Sequence, residues 1–300
     1  MTYKTSSNGK ILLTSEYIVL KGALALAIPT KFKQSLIFEQ NNSNILIWES
    51  YNYENIIWFQ CEIVLPNLEL INSSDKKIGK ILHSILLSAK KINPNFLTKN
   101  NGGTLKTKLD FPNNWGLGSS STLINNIAKW SKTNPFKLLW SNFKGSGYDI
   151  ACADSISPIL YRLENNIPVI EKTTFNPAFS KNLFFIHLNK KQNTNKEIRT
   201  FNSKNISARF VNNFSDLTKE IISTNNINDF QSCIKKHESL LSEKLLIDPI
   251  KKKLFEDYRG EIKSLGAWGG DFILAAGPLD TPNYFKKKGF KTIITYKEMF

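Results

Sequence analysis

Pro112-Asn113-Asn114-Trp115-Gly116-Leu117-Gly118-Ser119-Ser120-Ser121 joins two runs of different period. Before it, Thr104–Leu109 alternates as a strand; after it, Thr122–Trp130 reads as a helix. Two glycines let the backbone turn tightly and approach a ligand with no side chain in the way. The helix that follows directs unpaired N–H groups, and the positive end of its dipole, at an anion. Ser119, Ser120 and Ser121 add hydroxyls able to meet phosphate oxygens or a magnesium ion. The same stretch could also be a helix cap and nothing more. It fits neither common nucleotide-loop pattern. There is no G-x-x-x-x-G-K-[ST], since Lys10 is followed by Ile11, and G-x-G-x-x-G fails at Ser121.

Outward from this loop, the chain holds two more glycine-rich turns. Lys144-Gly145-Ser146-Gly147-Tyr148-Asp149 enters an Ala-rich segment, and Gly266-Ala267-Trp268-Gly269-Gly270-Asp271 feeds the strand-like Phe272–Ala275. The first 65 residues read as strands over Ile11–Leu13, Tyr17–Leu20, Leu24–Ile28, Ser35–Glu39 and Ile45–Trp48, with Ile56–Val64 adding another. Lys77–Ile92 carries Ile78, Ile81, Leu82, Ile85 and Leu86 at helical spacing with lysines opposite, an amphipathic helix. Pro135–Asn142 reads as helix, and Ile159–Leu163 and Leu183–Leu188 as strands. A polar loop, Asn189–Asn195, precedes long helices over 204–224, 227–245 and 248–259. Pro282–Lys288 as helix and Lys291–Tyr296 as strand close the chain. The change of character places a domain boundary near residue 170, giving domains 1–170 and 171–300.

Three hundred residues at 41% apolar are enough for a real core, which excludes disordered and collagen-like classes. The formal charge of +15 invites a nucleic-acid reading. The lysines are scattered, however, and the densest runs, Lys251–Lys253 and Lys286–Lys288, suit solvated helix faces. No nucleic-acid partner is expected, although such a surface attracts phosphorylated small molecules. Cys61, Cys152 and Cys233 form no C-x-x-C pair and read as reduced cytoplasmic thiols. Lys10, Glu16 and Lys21 interrupt the apolar N-terminus, and no run reaches the ~18 apolar residues of a membrane span. A cytoplasmic protein without a membrane partner is the expectation.

Pro112–Ser120 resembles the P-x-x-x-G-L-G-S-S motif of the GHMP kinases, the group of galactokinase, homoserine kinase, mevalonate kinase and phosphomevalonate kinase. Two further segments fall in the family's order. Ser7-Asn8-Gly9-Lys10-Ile11-Leu12-Leu13-Thr14-Ser15-Glu16-Tyr17 is similar to the A-P-G-K…G-E-[HY] segment, and Ser264–Asp271 is similar to S-G-A-G-G-G-D. Gly145-Ser146-Gly147-Tyr148-Asp149-Ile150-Ala151 resembles the phosphomevalonate-kinase turn G-S-G-[FY]-D-V-A. It also looks like a bacterial subgroup named for its Gly-Tyr-Asp-Ile-Ala string. The resemblance spans nearly the whole chain.

It implies a two-domain α+β GHMP kinase fold, with an N-terminal domain like ribosomal S5 domain 2, a ferredoxin-like C-terminal domain, and ATP between them. The implied reaction moves the γ-phosphoryl group of ATP onto a small-molecule acceptor, mevalonate or phosphomevalonate being favoured. Another sugar or amino-acid alcohol, or an inactive nucleotide-binding relative, stays open as an alternative. By resemblance Gly116, Leu117, Gly118, Ser119, Ser120 and Ser121 wrap the triphosphate, and Ser120 sits where mevalonate kinases place a Mg²⁺-ligating serine. Asp149 takes the catalytic aspartate position, against the plainer role of satisfying a tight turn. Lys10 takes the position of a lysine aimed at the reacting oxygens, against that of a surface lysine. Gly266, Ala267, Gly269, Gly270 and Asp271 close over phosphate or acceptor, with a turn-forming role for Asp271 left open, while Trp268 could narrow the site. Lys190 and Lys191 could meet an anionic acceptor or simply be solvated. Ser7-Asn8 replaces Ala-Pro, Ser15 replaces a glycine, and Leu138 stands where mevalonate kinases carry a Mg²⁺-binding glutamate. Oligomeric state is open, a homodimer among the options.

Overall fold

The structure, a computed structural model, describes residues 1–189, 201, 205–266 and 271–300. It is a mixed α+β chain in two compact units, each assembled from separated pieces. The first holds Met1–Gly9, Phe32–Asn113 and Gly118–Asp154; the second holds Lys10–Lys31, Asn114–Leu117 and Ser155–Phe300. Strands β1 (Thr2–Leu12) and β2 (Ala25–Gln40) pass from one unit's residues to the other's.

In the first unit the strand order is β5-β4-β3-β6-β2, with β3 (Ile45–Tyr51), β4 (Ile57–Val64), β5 (Glu69–Ser73) and β6 (Gly103–Leu109). β3 and β6 are parallel, with Trp48 opposite Leu105; the other pairs are antiparallel. Alternation decides the buried face. Leu46 and Trp48 point inward, while Ile45 and Ile47 point to solvent. Helices α1 (Lys76–Ile92), α2 (Ser119–Ser131), α3 (Pro135–Asn142) and α4 (Tyr148–Asp154) supply the rest of this core. α1 starts where the Asp75 carboxylate accepts from Lys77 N and Ile78 N, an N-cap. It buries Leu82, Ile85, Leu86 and Ala89, one stripe of its surface. Trp130 at the end of α2 packs edge-on to Phe96, ring centroids 4.7 Å apart.

In the second unit the first residues of β2 pair with β7 (Ile159–Glu164), which pairs with β8 (Ile167–Lys172). A separate antiparallel sheet has the order β10-β11-β9-β12, with β9 (Leu183–His187), β10 (Glu261–Ser264), β11 (Phe272–Ala276) and β12 (Ile293–Thr295). Its helices are α5 (Ala208–Ser223), α6 (Ile227–Leu245), α7 (Ile250–Leu254), α8 (Thr281–Lys287) and α9 (Tyr296–Met299). Phe184, Ile186 and Ile273 pack with Phe255, Tyr258 and Phe285 in one cluster. Tyr17, Ile18, Phe214 and Leu241 form another.

Three expectations are corrected. Tyr17–Leu20, read as a strand, enters the 3-10 turn Ile18–Lys21, closed by Gly22 at φ 89°; a four-residue apolar run carries no period that separates the two. The helix expected over 248–259 is only α7, because Phe255 leaves helical geometry to enter the core. The last strand stops at Thr295, whose side chain caps α9 in a reciprocal capping box with Glu298. No helix among the described residues is long and apolar enough to cross a membrane.

Candidate active site

The stretch Pro112–Ser121 turns at two glycines in the left-handed region, Gly116 at φ 67° and Gly118 at φ 89°. Gly118 is the residue before α2, and no side chain caps that helix end. Gly118 itself offers the first-turn N–H groups no side-chain acceptor. Ser120 is exposed and Ser119 half-buried, so both hydroxyls lie at the surface of the turn. Ser121 is different: it is buried, and its hydroxyl donates to Gly118 O at 2.8 Å.

α2 is fixed by a buried polar network rather than by apolar contact alone. Thr122 Oγ1 donates to Gln34 Oε1 (2.6 Å), and Asn126 Nδ2 donates to Gln34 O (2.8 Å). Ser7 Oγ donates to Asn126 Oδ1 (2.8 Å) and accepts from Asn125 Nδ2 (2.9 Å). Each donor and acceptor matched in a dry interior holds the helix in one orientation. Asp149 lies in the first turn of α4, half-buried, its Oδ1 accepting from Ile150 N at 3.1 Å. The turn before it needs Gly147 at φ 85°, where a Cβ would press on the Phe136 ring at 3.1 Å.

In the second unit Lys10 is bound at both ends to the other half of the loop. Its amide donates to Leu117 O (2.9 Å) and its Nζ to Gly116 O (3.2 Å). Lys10, Trp115, Gly116, Gly266, Asp271 and Phe272 line one cavity. Asp271, at φ 51°, lays its carboxylate directly on Gly116: a Cβ there would meet Asp271 Oδ2 at 2.4 Å. Trp115 stands edge-on to Phe272, centroids 5.5 Å apart, and its neighbour Asn114 meets His187 Nε2 through its carbonyl at 3.0 Å. Lys10, Gly116, Leu117, Gly266 and Asp271 are therefore gathered at one place in this unit. Ala267, Trp268, Gly269, Gly270, Lys190 and Lys191 lie outside the described residues.

No protein-family model and no curated protein matches the sequence. Solved structures do match, over nearly the whole chain. The Lin0012 protein of Listeria innocua superposes with a TM-score of 0.73 at 18% identity, covering 97% of this chain and 96% of that one. The Streptococcus pneumoniae phosphomevalonate kinase, solved with phosphomevalonate and AMPPNP, gives 0.72 at 15%, covering 98% and 99%. The Methanococcus jannaschii mevalonate kinase gives 0.69 at 16%, covering 98% and 97%. The fold is that of the GHMP kinases.

Two departures from the GHMP kinase motifs have structural explanations. Ser15 stands at a glycine position and does adopt a left-handed backbone, φ 63°. Its Oγ donates to Leu24 O (2.6 Å) and its amide to His237 Nε2 (2.9 Å). Those bonds offset the strain that a glycine would avoid. Leu138 is fully buried in the core of the first unit. A carboxylate at that point would have no water around it.

The sequence reading passed over one set of residues. Glu16, Lys263, Glu238 and His237 come together in the second unit, all at 3% exposure or less. Burial raises the Glu16 pKa against the pull of Lys263, and burial together with Lys263 holds His237 well below its usual range, hence neutral. The available signal was Lys263 itself, a lysine set directly before the Ser264-Leu265-Gly266 turn.

Proposed function

We propose that this chain is an ATP-dependent kinase of a small-molecule metabolite, with mevalonate or phosphomevalonate as the favoured acceptor. The observation that carries the proposal is the uncapped N-terminus of α2 behind the left-handed Gly116 and Gly118. In a chain of this fold, that turn is where a triphosphate finds backbone N–H donors and no side-chain competitor. The acceptor preference rests on the Gly145–Ala151 string and on the mevalonate and phosphomevalonate kinases among the structural neighbours.

The residues divide the work as follows. Leu117, Gly118, Ser119 and Ser120 hold the phosphates, with Ser121 bracing the turn from inside through Gly118 O. Mg²⁺, when bound, neutralises phosphate charge, and the exposed Ser120 hydroxyl fits it as a ligand. Leu138 offers no carboxylate, so Ser120 is the residue here that would hold the metal. Lys10, oriented by Gly116 O, places an ammonium on the charge that grows on the transferring group. Asp149, steadied by Ile150 N, accepts the proton of an acceptor hydroxyl as its oxygen bonds to the γ-phosphorus and the bond to ADP breaks. For an acceptor phosphate, already an anion, Asp149 orients rather than deprotonates. Gly266 and Asp271 also line the Lys10 cavity.

ADP release with MgATP tests this, comparing mevalonate, phosphomevalonate and no acceptor, with Asp149→Asn alongside. Stimulation by one acceptor, lost by about 10²-fold or more in Asp149→Asn with ATP binding retained, is expected. No stimulation by either rejects the favoured acceptors. An unimpaired Asp149→Asn rejects the assigned base.

A further inference from the structure

Lys263 occupies β10 with no solvent exposure, in a place where an aliphatic side chain would pack at far lower desolvation cost. Its Nζ donates to Glu16 Oε1 (2.5 Å) and to Ser264 O (3.0 Å), and lies 3.7 Å from Glu238 Oε1. His237 closes the group from α6. Its Nε2 accepts from Ser15 N and lies 3.3 Å from Glu16 Oε2. That acceptor role leaves the ring proton on Nδ1, 4.0 Å from Glu238 Oε1.

The connections on either side give the cluster its meaning. Glu16 sits between two non-glycine residues in the left-handed region, Ser15 at φ 63° and Tyr17 at φ 62°. Such a turn persists only where its surroundings over-determine it. It ends the segment that begins at Lys10, and that segment is tied down by Leu13 N to Leu26 O (2.8 Å) and Thr218 Oγ1 to Thr14 Oγ1 (2.8 Å). On the other side, Lys263 grips the carbonyl of Ser264, the last residue of β10. Leu265 N then reaches Phe272 O (3.2 Å), and Gly266 and Asp271 follow at the cavity. A directed ion pair thus links two of the three segments that line the Lys10 cavity, while none of its four side chains lines that cavity. Apolar contact would fill the same volume but leave the strand end free to slide; hydrogen-bonded charges fix direction as well as distance.

We propose that the Glu16–Lys263 pair, enclosed by His237 and Glu238, is a positioning clamp that sets Gly266 and Asp271 against Lys10 for phosphoryl transfer. The proposal rests on the kinase reading above. Glu16 and Lys263 are positioning residues, acting through the segments they join.

The test replaces the pair by apolar side chains, Glu16→Met with Lys263→Met, so that neither partner is left as an unpaired buried charge. Glu238 then takes up a proton. Folding is checked by circular dichroism and urea midpoint. In the folded double variant we expect kcat to fall by about 10²-fold with KM for ATP within about two-fold. The amides of Ser264, Leu265 and Gly266 should exchange with deuterium at least about ten-fold faster. A folded variant that keeps either wild-type kcat or wild-type exchange overturns the clamp. If the double variant does not fold, Lys263→Arg is read in the same two ways, since it keeps the charge and changes the reach. Its smaller changes in the same direction support the clamp, and unchanged values overturn it. Wild-type protein that turns over no acceptor removes the kinase reading separately, and amide exchange alone then decides the clamp.

Discussion

Glu238→Gln isolates one buried proton. The Glu238 carboxyl is buried within α6, with Lys263, Glu16 and His237 as its charged or titratable neighbours. Burial, reinforced by the Glu16 carboxylate and opposed by Lys263, pushes its pKa up from 4.5 to about 7. Between those values the folded chain keeps a proton that the unfolded chain has released. Stability from this group is therefore fully present below about 4.5, declines as pH rises, and is gone once pH has passed the folded value of about 7. The gap corresponds to about 3 kcal/mol, most of it lost as pH rises from about 5 to about 8.5. Gln keeps the shape and carries no titrating proton, so Glu238→Gln should lack that decline. Urea unfolding at several pH values, with wild type and variant in parallel, reads the difference directly. Parallel pH dependences for the two proteins would refute the reasoning, because Glu238 would then titrate alike in both states.

Gly116→Ala should weaken ATP binding at least about ten-fold by calorimetry: it puts a methyl 2.4 Å from Asp271 Oδ2 at φ 67°, and the backbone alone costs about 1–2 kcal/mol. Retained affinity would show that the turn does not need its glycine. Phe255→Ala removes a ring at 1% exposure that meets Tyr284, Phe285 and Phe290 edge-on. The urea midpoint should report a loss of about 3–5 kcal/mol, with far-UV dichroism unchanged before the transition.

What could be read in advance follows from physical range. α6 lies over Ile227–Leu245 as expected, because nineteen residues of helical period and an Asn226 cap are local information. The loop at Gly116–Ser121 was legible for the same reason: glycine pairs and a following helix are adjacent in sequence. β5, β8 and β10 went unread. Each is four to six residues long, and β10 carries a charge in its middle whose partner is far away in sequence. β1 was seen only at its apolar end, since Thr2–Asn8 is polar and is held by backbone pairing. The buried Glu16–Lys263 pair could not be read from spacing, for its members are 247 residues apart. Leu138 and Ser15 looked like defects in a motif. In the fold, one is core and the other is a strained residue held by two hydrogen bonds.

The same separation bears on vectorial synthesis. The second unit takes Lys10–Lys31 from near the start of the chain, but the partners of that stretch include Thr218, His237 and Lys263. At about 5–20 residues per second, Glu16 waits about 12–50 s on the ribosome before Lys263 is made. By then every residue of the first unit, which ends at Asp154, has long been available. A nascent chain paused after Asp154 therefore holds the full complement of one unit. It also carries an insert with Tyr17, Ile18 and Ala23, whose cluster partners Phe214 and Leu241 are not yet made. Until Leu241 is made, that incomplete cluster is apolar surface open to a ribosome-associated chaperone.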